Sequence, residues 1–167
     1  MKHKFSIILF CILLCACSKK NEEIKLRNSV LNLVDSLSIS DKSMPNLVFI
    51  SDDYPKAQNY KSYHKFIKMT TEEELKKLTH HRKPNIRCYA FNGLVERNSS
   101  GVKKIFEEHI KDTAKIHLSF GGCVVIKMNV MEFMLDQLHP YGSKSSEKLS
   151  RKEYEQYQKN DNGITAK

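Results

Sequence analysis

The stretch Pro84-Asn85-Ile86-Arg87-Cys88-Tyr89-Ala90-Phe91-Asn92-Gly93-Leu94 decides how the rest of the chain is read. Pro84 has no backbone N–H and a φ already fixed near the helical value, so it suits the first position of a helix, where that N–H would lack a partner anyway. Ile86, Ala90 and Leu94, with Val95 after them, recur at helical spacing and turn one face inward, together with Tyr89 or Phe91. Asn98-Ser99-Ser100-Gly101 then stops the run. A buried helix is predicted.

Both flanks add a helix. Upstream, Thr71-Glu72-Glu73-Glu74 is a Thr-x-x-Glu capping box opening a helix through Leu75 and Leu78, and His80-His81-Arg82-Lys83 ends it at the negative pole of the helix dipole. Downstream, Val102, Ile105, Phe106, His109 and Ile110 share one face of a further helix. The unit is helix–turn–helix–turn–helix.

Residues 75 to 94 resemble a HEAT-type repeat. The pattern of its second helix, Pro-x-Val/Ile-Arg-x-x-Ala-x-x-Ala/Gly-Leu, is matched by Pro84, Ile86, Arg87, Ala90, Gly93 and Leu94, and Phe106 to Asp112 is similar to the first helix of a following repeat. The resemblance implies that Pro84 starts an inner helix, that Arg87 reaches acidic or carbonyl groups across the repeat, and that a small residue permits close packing. It also implies an α-solenoid type of scaffold, used for binding rather than catalysis. Isolated repeats cannot bury their faces and need about three units, so helices on either side must close the core. A short, capped HEAT-like domain over residues 24–142 is expected, mainly α.

The capping helices are visible in the pattern. Leu26, Val30, Leu33, Val34 and Leu37 predict a helix from Glu22 to Leu37, and Val130, Phe133, Met134 and Leu138 predict another from Asn129 that ends before Pro140. Between the first and the central unit, Leu47-Val48-Phe49-Ile50 favours an extended segment, Ser51 to Lys61 reads as loop, and helical character resumes at Tyr63. The repeat pattern breaks after Asp112. Ile116 to Phe120 alternates, Gly121-Gly122 can turn and Val124-Val125-Ile126 is β-prone, so residues 116–126 read locally as a small hairpin, with an irregular connection as the rival. Residues 143–167 are polar and charged, with a short helix capped by Ser150 and Glu153 as their one ordered option. Their few apolar side chains predict a flexible tail.

The amino terminus speaks to location. MKHKFSIILFCILLCACSKK has basic Lys2 and Lys4, an apolar run too short for a bilayer-spanning helix of roughly 20 residues, and then Leu14-Cys15-Ala16-Cys17. This resembles a bacterial lipoprotein signal peptide, residues 1–16. The resemblance implies cleavage between Ala16 and Cys17, lipid on Cys17, residues 17–23 as a tether, and attachment to a membrane. Acyl chains contribute ~0.8 kcal/mol per buried methylene and one chain anchors only marginally, so several together would hold the protein durably. Ser18, rather than the Asp that marks inner-membrane retention in enteric-type sorting, implies transport to the outer membrane. Lys19-Lys20-Asn21-Glu22-Glu23 loosely resembles a Lys-then-acid surface-export signal, with Asn21 interrupting it.

Composition constrains the chemistry. The formal charge of +9 falls to +7 when the signal takes Lys2 and Lys4 away, and basic pairs such as Lys76-Lys77 and Lys103-Lys104 alternate with acids, as a solvated surface does. An exported location argues against nucleic acid as partner. After the signal and the lipid site, Cys88 and Cys123 remain, as two buried thiols by default or one disulfide if the fold brings them together. Adjacent His80 and His81 point about 100° apart on a helix and do not form an i, i+4 ligand pair. His109, on an apolar face, reads as a hydrogen-bonded core histidine. No GxSxG, HExxH, phosphate-binding loop or dinucleotide fingerprint occurs. Gly121-Gly122-Cys123, with His117 across the turn, is the one nucleophile candidate, and catalysis would also need a depressed thiol pKa and an orienting group. The expectation is a membrane-tethered interaction module without metal or cofactor, its partner a protein, a peptide or another envelope component. A thiol-dependent enzyme using Cys123 and His117 is the alternative.

Overall fold

The computed structural model describes residues 25–38, 46–49, 58–120 and 124–165. Among them the order is α1 (Asn28–Leu37), β1 (Leu47–Phe49), α2 (Gln58–Met69), α3 (Glu72–Leu78), α4 (Pro84–Glu96), α5 (Val102–Glu108), β2 (Lys115–Ser119), β3 (Val125–Asn129), α6 (Val130–Gln137) and α7 (Arg151–Thr165). The fold is mainly helical, with one small sheet.

α4 is the axis of the core. It packs against α2, α3, α5, α6 and both β1 and β2, which is why ten of its thirteen residues are buried and its apolar character runs around the helix rather than along one stripe. Tyr89 and Phe91 are therefore both inside. Pro84 occupies the first turn as predicted. At the other end Asn98, at φ 53°, forms a Schellman stop: Asn98 N donates to Val95 O, and Ser99 N to Leu94 O, both at 3.0 Å. Gly93 permits a close approach of α2 and α3, since a Cβ there would collide with Ile67 Cδ1 and sit 3.3 Å from Leu75 Cδ1.

The sheet has order β1-β2-β3. β2 and β3 are antiparallel, with Leu118 opposite Ile126 and Ile116 opposite Met128, so the expected hairpin strands are present on either side of residues 121–123, which lie outside the described residues. β1 joins as a parallel strand, Val48 beside Leu118. Val48, Ile116 and Leu118 all point into the helical core.

Several boundaries differ from the sequence expectation. Lys25 to Arg27 are not helical: Arg27 is extended and commits its guanidinium to Glu74, Nε to Oε1 at 2.8 Å and Nη2 to Oε2 at 2.7 Å, so α1 begins only at Asn28. Glu22 and Glu23 lie outside the described residues. The loop expected over Ser51 to Lys61 gives way to α2 from Gln58. α5 ends at Glu108, which leaves Ile110 37% exposed instead of inward.

The largest correction concerns residues 143–167, expected as a flexible tail. They carry α7, and the segment before it is pinned: Gly101 N donates to Glu147 Oε1 at 2.7 Å and Leu149 N to Leu138 O at 3.0 Å. Leu149 and Tyr154 are buried, Tyr157 meets Phe106 edge-on at 4.9 Å, and Lys103 pairs with Glu153 at 2.6 Å. Three apolar side chains suffice because they dock onto a core that already exists, so they need not supply one of their own.

Candidate binding surface

The residues expected to carry the repeat motif are scaffold. Ile86, Ala90 and Leu94 are fully buried. Arg87 ties α4 to the turn after α5: Nη2 donates to Asp112 Oδ1 at 2.9 Å, and Nε sits 2.7 Å from Oδ2 as an ion-pair contact without hydrogen-bond alignment. Its Nη1 donates to the His81 carbonyl at 2.8 Å. Arg87 thus joins an acid and a carbonyl to α4. Ala16, Cys17 and Cys123 lie outside the described residues, while His117 stands half-buried on β2.

The remaining polar candidates are structural as well. His109 is buried between two backbone carbonyls, Nδ1 2.8 Å from Ile105 O and Nε2 2.9 Å from Thr79 O, and so joins α5 to the end of α3. His80 lies beside the His109 ring at 4.9 Å and faces Glu108, whereas His81 accepts from Lys83 N at 3.2 Å; the two neighbours diverge. Burial, then nearby Arg82, lowers the His81 pKa. Asn92 donates to Tyr63 Oη and, at 2.9 Å, to Glu96 Oε1, to which Tyr63 also donates at 3.0 Å. Burial and the Glu96 charge push the Tyr63 phenol well up. Cys88 is a free thiol with no exposed surface, and burial raises its pKa, the opposite of what a nucleophile needs.

No family model, curated protein or solved structure matches the chain. The surface must therefore be judged on its own chemistry.

That chemistry concentrates on the hairpin. Phe120, Val124, Val125 and Ile126 are 51, 63, 39 and 45% exposed, half of the exposed large apolar side chains among the described residues. Ile126, Lys127 and Met128 of β3 border an open groove of about 470 Å³ completed by Glu132, Leu135 and Asp136 of α6 and by Tyr154 and Gln158 of α7. Tyr154 donates to Asp136 Oδ1 at 3.0 Å, and burial first, then that carboxylate, pushes its phenol up to about 12. A smaller groove of about 280 Å³ continues past Leu118 and Phe120 to Phe133 and His139.

The two sheet edges are finished differently. At the β1 edge, Tyr89 of α4 accepts from Phe49 N at 2.9 Å and reaches Leu47 O at 3.4 Å, standing in for a neighbouring strand. At the β3 edge no strand follows among the described residues. Sequence reasoning found the β-prone Val124-Val125-Ile126 run but not its exposure. The signal was present, since a single hairpin in a helical chain must leave an edge unless something covers it.

Proposed function

We propose that the protein is a lipid-anchored binding module of the bacterial cell envelope, attached through Cys17 and placed at the outer membrane, with its partner engaged by the β2–β3 hairpin. The observation that carries this reading is the concentration of exposed large apolar side chains on the hairpin, because apolar residues left exposed together on a small domain mark an interaction site. Support for the anchor comes from Leu14-Cys15-Ala16-Cys17. The helical core serves as a rigid mount for the hairpin and takes no part in chemistry.

Two measurements test it. Cys17→Ala should abolish fatty-acid labelling and outer-membrane recovery; continued labelling would refute the anchor. A photo-crosslinking residue at position 124 should give a discrete adduct in intact cells, while the same residue at exposed Leu31, on α1, should not. Equal yields at the two positions would refute the hairpin as the contact. Turnover of any substrate that depends on Cys123 and His117 would replace the reading with the thiol-enzyme alternative.

A further inference from the structure

We propose that β3 accepts an extended peptide as a fourth strand, and that the peptide alternates apolar with acidic residues; this rests on the hairpin being the binding surface.

His117 N donates to Asn46 O, so residue 117 directs its backbone toward β1. Alternation along a strand then turns the backbone of Ile116 and Leu118 toward β3, where they oppose Met128 and Ile126. Val125 and Lys127 therefore direct their N–H and C=O groups away from the sheet. These groups form a short ladder ready for another backbone, the arrangement used in strand addition. Asn129 closes that ladder, because its N–H donates to Glu132 Oε2 at 2.5 Å in the capping box of α6.

The two faces of β3 differ. Ile126 and Met128, on the helix-facing side, border the groove over Leu135 and Tyr154, so an added strand would lower every second side chain into a partly apolar slot. Glu132 and Asp136 outnumber Lys127 around the same slot and disfavour acids on that side. On the opposite face, strand alternation places Lys127 across from His117 and Val125 across from Ser119, with Lys115 further along β2. An incoming strand is thus matched by apolar residues toward the groove and acidic ones toward Lys127, a period of two. A second copy fits less well, since its β3 would add another Lys127 to the face that already carries one, and the formal charge stays at +7 even after the signal takes Lys2 and Lys4 away.

The full mature chain can be titrated with fluorescein-labelled eight-residue peptides: one alternating Val and Glu, one alternating Val and Lys, and one with four Val followed by four Glu. The alternating acidic peptide should bind at least tenfold more tightly than either control. Val125→Pro removes one outward N–H at an edge where proline is tolerated and should weaken that binding at least tenfold with the thermal midpoint retained. If Val125→Pro does unfold the chain, Lys127→Glu decides alone, and it should reverse the preference toward the Lys peptide. Equal affinity for alternating and block peptides, or an unchanged preference in Lys127→Glu, would overturn the proposal. Concentration-dependent dimers that Val125→Pro abolishes would also overturn it, in favour of a second copy. Failure here alongside a discrete adduct from position 124 would leave the binding reading standing without the strand-addition mode; loss of that adduct would remove both.

Discussion

β1 and β3 bound the same small sheet, yet their outward backbones are met differently: Tyr89 answers Phe49 N and Leu47 O on β1, whereas on β3 only the end residue, Asn129, is answered, by Glu132. Tyr89 reaches β1 from the central helix, whose position is fixed by burial on every side, so closing that edge needed only one phenol in the right place. β3 lies farther from α4, flanked by α6, and it carries exposed valine and isoleucine where edge strands commonly place charge or proline. Lys127 is the one such guard on the strand. The same domain thus answers two outward groups of one edge with a phenol and leaves most of the other edge equipped for pairing, and each end of that contrast can be perturbed separately.

The largest effect is expected from the mount that both edges share. Ala90 is fully buried in α4, so Ala90→Asp places a carboxylate in the core without a partner and should destabilise by several kcal/mol, roughly 3 or more. Chemical denaturation would measure it. A melting temperature within a degree of wild type would show that α4 is not the shared support. Acid should act next, through the remote Arg27–Glu74 pair. Arg27 holds the Glu74 carboxyl down to about 2 from 4.5, so the stability it contributes is present above about pH 4.5 and is lost as pH falls toward about 2. Arg27→Ala should flatten that part of the stability–pH curve, and an unchanged acid limb would remove the pair from the account.

Much of this architecture was legible in the sequence because its causes are local. Pro84 at a helix start, the Thr71 and Glu74 capping box, and the spacing of Ile86, Ala90 and Leu94 act within a few residues, and each is found where the pattern places it. The parallel pairing of Leu47–Phe49 with His117–Ser119 was not legible, since it links segments about 70 residues apart with no local signature. α7 was missed for a related reason. Leu149, Tyr154 and Tyr157 are too few to build a core, and only the presence of Phe106, Leu138 and His139 nearby turns them into an anchor. The candidate surface sits between these cases: its β-prone residues could be read locally, whereas its openness depends on what the rest of the fold leaves uncovered.

A gentler break falls on the closed edge alone. Tyr89→Phe keeps the ring in place and deletes the oxygen, leaving Phe49 N–H and Leu47 C=O without their partner in a region where Tyr89 is only 2% exposed. An unsatisfied buried group costs about 1–3 kcal/mol, so a loss of that order is expected. Amide exchange at Phe49 should accelerate relative to the residues of β2. Unchanged protection of Phe49 would mean that the phenol does not close the edge.

The smallest stability effect belongs to the open edge, and it separates folding from function most cleanly. Val124 is 63% exposed, and Val124→Thr retains the β-branched shape while replacing a methyl by a hydroxyl. Little apolar area leaves or enters the core, so denaturation should shift by no more than about 0.5 kcal/mol, the ordinary range for surface positions. If the hairpin makes its contact through apolar side chains, the substitution should nevertheless weaken capture of the partner, because the desolvation gained at Val124 on binding is lost with the methyl. Tyr89→Phe should show the converse, a clear loss of stability with binding per folded molecule retained. Measuring both variants by denaturation and by peptide titration places them on opposite axes; a Val124→Thr protein that loses stability and keeps its affinity would show that the hairpin is held by the fold rather than offered to a partner.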